Sequence, residues 1–153
     1  MTCLDGGKHE VAEAYLEKIA NPGADVLNAL GVVQLRRGKF DEAAEFFKKS
    51  ASDDAKANLA AIDIIRGNYA EAANALSGTG NANEALADIL TGKLDAAASA
   101  IKGDDARSEY LSAIVAARKG KTSVAKSKVE SAGSKDASLK ERAAKDVEFA
   151  GIL

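Results

Sequence analysis

Several residue types that mark particular classes of protein are scarce in this chain. Its 153 residues include one cysteine, one proline and one histidine, and tryptophan is absent. A single cysteine excludes an internal disulfide, and one cysteine with one histidine leaves no pair at the spacing of a zinc or other transition-metal site. No calcium-binding loop is recognisable either. We therefore expect neither metal nor cofactor, and the single proline argues against a turn-rich all-β protein.

Clustered charge and long hydrophobic runs are also missing. The chain carries 21 basic and 23 acidic residues, a net charge of −2, without the concentrated Lys and Arg that binding to nucleic acid or an anionic membrane requires. No stretch approaches the roughly 18 consecutive apolar residues of a membrane helix, and the first residues do not resemble a signal peptide. We expect a soluble chain that binds no nucleic acid and inserts into no membrane. Cytoplasm and periplasm both remain open.

The apolar residues that are present favour helices. Hydrophobic residues make up 46% of the chain but aromatic residues only 5%, so Ala, Leu, Ile and Val must supply most of the buried volume. Ala, Leu, Glu and Lys have high helix propensity. A chain of this length can bury a core without metals or disulfides. The composition predicts an all-α protein.

A short pattern recurs along the chain: a glycine, usually followed by Lys or Asn, with an alanine five residues after the glycine. The glycine and alanine pairs are Gly7 and Ala12, Gly38 and Ala43, Gly67 and Ala72, Gly92 and Ala97, and Gly120 and Ala125. A glycine at the end of a helical pattern supplies the left-handed conformation that terminates the helix. We expect Phe40, Tyr69 and Leu94, two residues after their glycines, to wedge between consecutive helices, and the alanines to let those helices approach closely.

Apolar residues on both sides of each glycine recur at three- and four-residue intervals, which predicts antiparallel helix pairs. We place the first helices over residues 24–37, 55–66, 82–91 and 106–119, with second helices after the glycines. The resulting divisions are a partial repeat over 1–23, repeats over about 24–52, 53–80, 81–104 and 105–134, and a capping helix over 136–150.

Three local features qualify this repeat scheme. The capping helix is expected to bury Leu139, Ala143 and Val147 on one face. The segment Ser77 to Asn81 is expected to be a flexible turn where the array can bend. Met1 to Gly7 is too short for a first helix, so we expect the chain to be a fragment of a longer protein.

Residues 27–50 resemble a tetratricopeptide repeat. They contain the Leu30-Gly31 pair, the turn glycine Gly38, the stretch Phe40-Asp41-Glu42-Ala43 and the paired aromatics Phe46 and Phe47. The glycine spacings are all shorter than the 34 residues of that family's unit. The resemblance implies antiparallel helix pairs stacked into a right-handed α-solenoid, in which the first helices line a concave groove.

By this resemblance each first helix would contribute several residues, both polar and apolar, to the groove. Its members are Asn28, Val32, Leu35, Arg36, Asn58, Ala61, Ile65, Asn83, Leu86, Leu90, Arg107, Tyr110, Ile114 and Arg118. The apolar members could instead pack only against neighbouring first helices. Asn58 and Asn83 lie at matching places of their repeats, and their amides offer both a donor and an acceptor to an extended peptide. Asn28 and Val32 replace the Lys and Asn by which some relatives bind a terminal carboxylate, so we do not expect that specialised function.

The leading functional hypothesis is a scaffold, monomeric in isolation, that binds a peptide or helix of a partner protein in this groove. The alternative is a structural spacer or assembly segment of a larger multidomain protein. A catalytic reading has only Cys3 and His9 as a nucleophile and base pair. Gly120-Lys121-Thr122 lacks the upstream glycine of a phosphate-binding loop. We expect no enzymatic activity.

Overall fold

The computed structural model describes residues 18–153 together with the single positions 11, 14 and 16. Over residues 24–153 the chain forms nine α-helices and one 3-10 turn, and no described residue lies in a β-strand. The all-α prediction is therefore confirmed. The helices are α1 (Ala24–Arg36), α2 (Phe40–Ser50), α3 (Asp53–Arg66), α4 (Tyr69–Leu76), α5 (Ala82–Leu90), α6 (Leu94–Ala100), α7 (Ala106–Arg118), α8 (Thr122–Lys135) and α9 (Ala137–Ala143), followed by the 3-10 turn Val147–Phe149.

The chain divides into two compact units, Met1–Gly67 and Asn68–Leu153. In the first unit α1 packs on α2, α2 packs on α3, and α1 also contacts α3. The core surrounds Phe47, which is 1% exposed, and includes Ala43 and Ile62. A Cβ atom added at Gly31 would lie 2.4 Å from Cε1 of Phe47, so the glycine lets the ring lie directly against the α1 backbone.

The second unit repeats this arrangement over more helices. Each of α4 to α8 packs on the next helix in the chain, with the smallest of these contacts between α6 and α7. The helix α5 also contacts α7. Its core contains Ile89 from α5, Leu111 and Val115 from α7, Val129 from α8, and Phe149 from the 3-10 turn. Burial of these apolar side chains is the main stabilising contribution to such a helical unit.

The recurring glycine and alanine pattern has the predicted structural role. The described glycines Gly38, Gly67, Gly92 and Gly120 have φ angles of 75°, 84°, 78° and 71°, and a new helix begins two residues after each of them. The alanines five residues after these glycines, Ala43, Ala72, Ala97 and Ala125, are all 0% exposed. The glycine thus ends one helix, and the alanine is a small, fully buried residue of the helix that follows.

The segment Ser77 to Asn81, expected to be a flexible hinge, is held by a carboxylate. Glu84 is 7% exposed, and its two oxygens accept hydrogen bonds from the backbone N–H groups of Gly78 at 2.6 Å and Gly80 at 2.7 Å. The Thr79 hydroxyl also donates to Glu84 at 3.2 Å. The segment forms a turn as predicted, and Glu84 satisfies two of its backbone donors, a contact that the sequence did not predict. The division between the two units falls after Gly67.

The predicted capping helix is wrong in its second half. The helix α9 ends at Ala143, and the chain then turns so that Phe149 is 2% exposed and Val147 is 84% exposed. Leu139 and Ala143 do pack against the core as predicted. The side chain of Asp146 accepts a hydrogen bond from the N–H of Glu148 at 3.1 Å and starts the 3-10 turn. Turning the chain buries the larger apolar side chain, which a continuous helix would not have done.

Asp88, near the C-terminal end of α5, carries an unfavourable buried charge. It is 6% exposed, and burial raises the pKa of its carboxyl above the ordinary value of 3.8, partly opposed by the positive charge of Lys93 and reinforced by Glu84. Because the folded chain binds this proton more tightly than the unfolded chain, the contribution to stability is full below 3.8 and is lost as the pH rises through the raised pKa.

We therefore expect Asp88→Asn to increase the free energy of unfolding at neutral pH by about 0.5–1 kcal/mol, the size of removing an acidic charge from a helix C-terminus. The gain should shrink as the pH is lowered toward 3.8. Urea unfolding followed by circular dichroism at several pH values measures it. A variant that is less stable than wild type at neutral pH would show that the carboxylate has a favourable partner.

Candidate functional site

The residues predicted to line a groove divide between the two units. In the first unit Val32 and Leu35 are half-buried and pack against the core around Phe47. Ile65, on α3, is 61% exposed, and Ala61 is half-buried on the same helix. The apolar members of the prediction thus include packing residues as well as surface residues.

The predicted polar residues of the first unit have contacts inside the unit. The side-chain amide of Asn58 donates to the amide oxygen of Asn28 at 3.0 Å, which links α3 to α1. Arg36 is exposed in the last turn of α1. Both asparagines were predicted to line the groove, and the structure gives them each other as partners. The Asn58 oxygen and the Asn28 amide nitrogen take no part in this bond.

In the second unit the predicted residues converge on a cleft of about 550 Å³ between α5, α7 and α9. It brings together four residues of the prediction, Leu86, Arg107, Tyr110 and Ile114. The remaining lining residues were not predicted to face the groove. They are Asp105, Ala106, Leu111, Asp136, Leu139 and Arg142. This cleft is the candidate functional site.

Helical spacing explains why these side chains share one surface. Arg107, Tyr110, Leu111 and Ile114 follow one another at intervals of three, one and three residues, so they lie on the same face of α7. Leu139 and Arg142 are likewise three residues apart on α9. Leu139 was predicted to be buried and Arg142 was not singled out, so neither α9 residue was assigned to the groove. The N-capping residue Asp136 before this apolar and basic pair was the signal that could have located them.

The two acidic residues of the cleft are occupied in capping helices. Asp105 accepts hydrogen bonds from the backbone N–H of Arg107 at 2.9 Å and of Ser108 at 3.1 Å, and from the Ser108 hydroxyl at 2.6 Å. The hydrogen bonds from Ser108 are the main reason why the pKa of Asp105 is lowered. Asp136 accepts from the backbone N–H of Ser138 at 3.0 Å. Their negative charges are therefore partly balanced by the positive ends of α7 and α9.

The two arginines of the cleft interact with neutral groups. A guanidinium N–H of Arg107 donates to the amide oxygen of Asn83 at 2.7 Å, and the guanidinium of Arg142 lies over the ring of Tyr110, 5.5 Å from its centroid. Within residues 18–153 neither arginine forms an ion pair. A guanidinium has five N–H donors, so both side chains retain donors for a carboxylate or carbonyl of another molecule.

Tyr110 forms the inner wall of the cleft and is 5% exposed. Its hydroxyl donates to Oδ2 of Asp146 at 2.8 Å. Burial, together with the hydrogen bond to Asp146 and that residue's negative charge, raises the pKa of Tyr110 to about 12. The phenol is therefore protonated at neutral pH and acts as a fixed hydrogen-bond donor.

Arg118 and Leu90, also predicted to face a partner, are not among the cleft residues. The Nε atom of Arg118 donates to Oε2 of Glu148 at 2.9 Å, and Nη1 donates to the carbonyl oxygen of Ile89 at 2.5 Å. The hydrogen bond to Glu148 is the main cause of a raised pKa at Arg118. Arg118 thus connects α7 to α5 and to the C-terminal turn. Leu90, the last residue of α5, is half-buried.

Metal-binding groups and membrane-spanning helices were both searched for over the described residues. Among the described residues no group of three or more His, Cys, Asp or Glu side chains is placed to hold a metal ion. In the same part of the chain no helix has both the length and the apolar character needed to cross a membrane. Cys3 and His9, considered above as a reactive pair, lie outside the described residues.

No protein-family model matches this chain, and comparison with curated proteins gives no match. The resemblance to tetratricopeptide repeats therefore stays an expectation that depends on residues 27–50 and on the recurring glycines. The feature of the chain that bears on function is the cleft between α5, α7 and α9.

Proposed function

We propose that the chain is a non-catalytic scaffold that binds a peptide or helix of a partner protein in the cleft between α5, α7 and α9. One observation carries the proposal: side chains from two first helices and from α9 converge on a cleft of about 550 Å³. Leu86, Leu111 and Ile114 supply its apolar wall, and Arg107 and Arg142 supply cations that have neutral partners. This chemistry suits an amphipathic segment with an acidic face.

The proposed architecture around this site is a tetratricopeptide-like stack of helix pairs forming a right-handed α-solenoid. The recurring glycine and alanine pattern supports it, as does the contact between alternate helices inside each unit, α1 with α3 and α5 with α7. Contacts between consecutive first helices are what such a stack requires. The peptide would then lie across the first helices.

The residues of the cleft suggest how a bound segment would be oriented. Two apolar side chains of an amphipathic helix, three or four residues apart, would contact Leu86 and Ile114 on one side and Leu139 on the other. An acidic residue next to them would face Arg107. Because the site is open to solvent, most of the affinity would come from the apolar contacts, and the charge would mainly set orientation and specificity.

The test begins with selection of binding peptides from a displayed random library on the immobilised chain. A selected peptide is then titrated by calorimetry into wild type, Arg107→Glu and Lys126→Glu. Lys126 is exposed on α8 and does not line the cleft, so it is a matched charge-reversal control. We expect at least about a tenfold loss of affinity, about 1.4 kcal/mol, for Arg107→Glu and no change for Lys126→Glu.

Equal loss in the two variants would contradict binding at this cleft and indicate a general electrostatic attraction. A selection that enriches no peptide would leave the structural spacer as the better proposal. In that case analytical ultracentrifugation should show concentration-dependent self-association of the isolated chain. Circular dichroism of each variant must first show wild-type helix content.

A further inference from the structure

The turn Asp146–Phe149 is attached to α7 through three side-chain contacts. Asp146 accepts the hydrogen bond from the hydroxyl of Tyr110 at 2.8 Å. Glu148 accepts from Arg118 through both carboxylate oxygens. The ring of Phe149 meets that of Tyr110 edge to face, with centroids 5.6 Å apart and an interplanar angle of 81°.

The contacts have a pattern along the sequence. Asp146, Glu148 and Phe149 are the residues that contact α7, while Val147 between them is 84% exposed. The pattern is therefore acidic residue, any residue, acidic residue, aromatic residue. Asp146 also accepts the N–H of Glu148 at 3.1 Å, so an aspartate at the first position shapes the turn that presents the other two.

Main-chain hydrogen bonds play no part in this attachment. The N–H of Asp146 donates to the carbonyl of Ala143, that of Phe149 to Asp146, and that of Ala150 to Val147. In the part of the chain that the structure describes, no backbone hydrogen bond joins the turn to α7. The turn is thus held on α7 by side chains alone, in the manner of a short peptide docked on a helix.

The α7 side of the contact is held in place independently of the turn. The guanidinium of Arg118 also donates to the carbonyl oxygen of Ile89 on α5 at 2.5 Å, which fixes its position when Glu148 leaves. The side chain of Tyr110 is 5% exposed and belongs to the core of the second unit, so its hydroxyl is also held in place on α7. A preorganised donor pair of this kind reduces the entropic cost of binding.

We propose that the surface formed by Tyr110, Arg118 and the carbonyl end of α5 recognises a partner segment with the sequence pattern acidic, any, acidic, aromatic, and that Asp146–Phe149 is a built-in competitor for it. The inference rests on the proposed function because α7 serves both sites. The surface around Arg118 is a second binding surface beside the cleft that contains Arg107. Its partner segment carries two acidic residues and one aromatic residue. A tethered competitor has an effective concentration on the order of millimolar, so an outside segment binds well only after the turn is released.

The probe is a fluorescein-labelled synthetic peptide with the sequence of residues 144–153. Fluorescence anisotropy compares its binding to the full wild-type chain and to the full chain carrying Asp146→Ala and Glu148→Lys, which removes both polar attachments. We expect binding at least about tenfold tighter for the released variant, because its own turn keeps only the Phe149 contact with Tyr110 and competes less. Adding Arg118→Glu to the released variant should abolish binding, as should replacing the peptide's phenylalanine by alanine.

A charge exchange gives an independent readout. Arg118→Glu in the released background should bind a peptide in which the glutamate matching Glu148 is lysine, and should reject the original peptide. If the released variant keeps wild-type helix content by circular dichroism but binds the peptide no better than a scrambled one, the proposal is overturned. The turn would then be an ordinary part of the core.

If the released variant loses helix content, a nuclear magnetic resonance titration of wild type with excess peptide decides the matter. Saturable shifts at Tyr110 and Phe149 support competition, and their absence contradicts it. Failure here is distinguishable from failure of the proposed function, because the library-selected peptide is tested through Arg107. A selected peptide that loses affinity on Arg107→Glu, with no binding of the 144–153 peptide, would sink only this inference.

Discussion

Replacing Ala97 by leucine is expected to lower the free energy of unfolding of the second unit by about 2–3 kcal/mol, at the upper end of the usual cost of overpacking a core. Ala97 is 0% exposed and belongs to the core cluster that includes Ile89 and Val115. It is one of the alanines of the recurring pattern, so a longer side chain would push apart helices that the pattern holds together. The adjacent Ala98 is exposed, and Ala98→Leu should change stability by less than about 0.5 kcal/mol.

Thermal and urea unfolding of the two variants, followed by circular dichroism, measure this difference. Hydrogen exchange then shows whether the loss is confined to residues 68–153. Both substitutions replace alanine by leucine in the same short helix, so helix propensity cancels between them. Equal stability of the two variants would contradict the role assigned to the recurring alanines.

Replacing Gly31 by alanine is expected to destabilise the first unit by about 1–3 kcal/mol, although alanine is a better helix former than glycine by about 1 kcal/mol. The added Cβ would lie 2.4 Å from Cε1 and 2.6 Å from Cδ1 of Phe47. Phe47 is 1% exposed, so its ring has no free space into which to rotate. The steric cost should therefore exceed the gain in propensity.

A double-mutant cycle with Phe47→Leu isolates this contact. Leucine lacks the outer ring atoms that the new methyl group would strike, so the two substitutions together should cost at least about 1 kcal/mol less than the sum of their separate costs. Urea unfolding of the four proteins provides the values. Strict additivity, or a stabilising effect of Gly31→Ala alone, would show that α1 and α2 are less closely packed than described.

The helices and their turns were predictable from the sequence because they depend on local chemistry. A glycine that ends a helix and an alanine that is fully buried act within a few residues of their own position, and the predicted first helices agree with α1, α3, α5 and α7 within two residues. The contact of Glu84 with the turn Ser77 to Asn81 was not predicted, because a single buried carboxylate leaves no periodic signal in a sequence.

The polar contacts of the residues predicted to line a groove were not predictable because they join residues that are far apart in the chain. The bond between Asn58 and Asn28 and the pairing of Arg118 with Glu148 depend on the register between helices, which apolar periodicity does not specify. At the C-terminal end the four-residue spacing favoured burial of Val147. The structure buries Phe149 instead, because the capping side chain of Asp146 begins a new turn.

Peptide binding in the cleft between α5, α7 and α9, as proposed, can be measured by a nuclear magnetic resonance titration of the isotope-labelled full chain with a peptide selected from the displayed library. We expect saturable chemical-shift changes concentrated at Leu86, Arg107, Ile114, Leu139 and Arg142. Changes confined to the first unit or to the exposed face of α8, or none on addition of excess peptide, would contradict it.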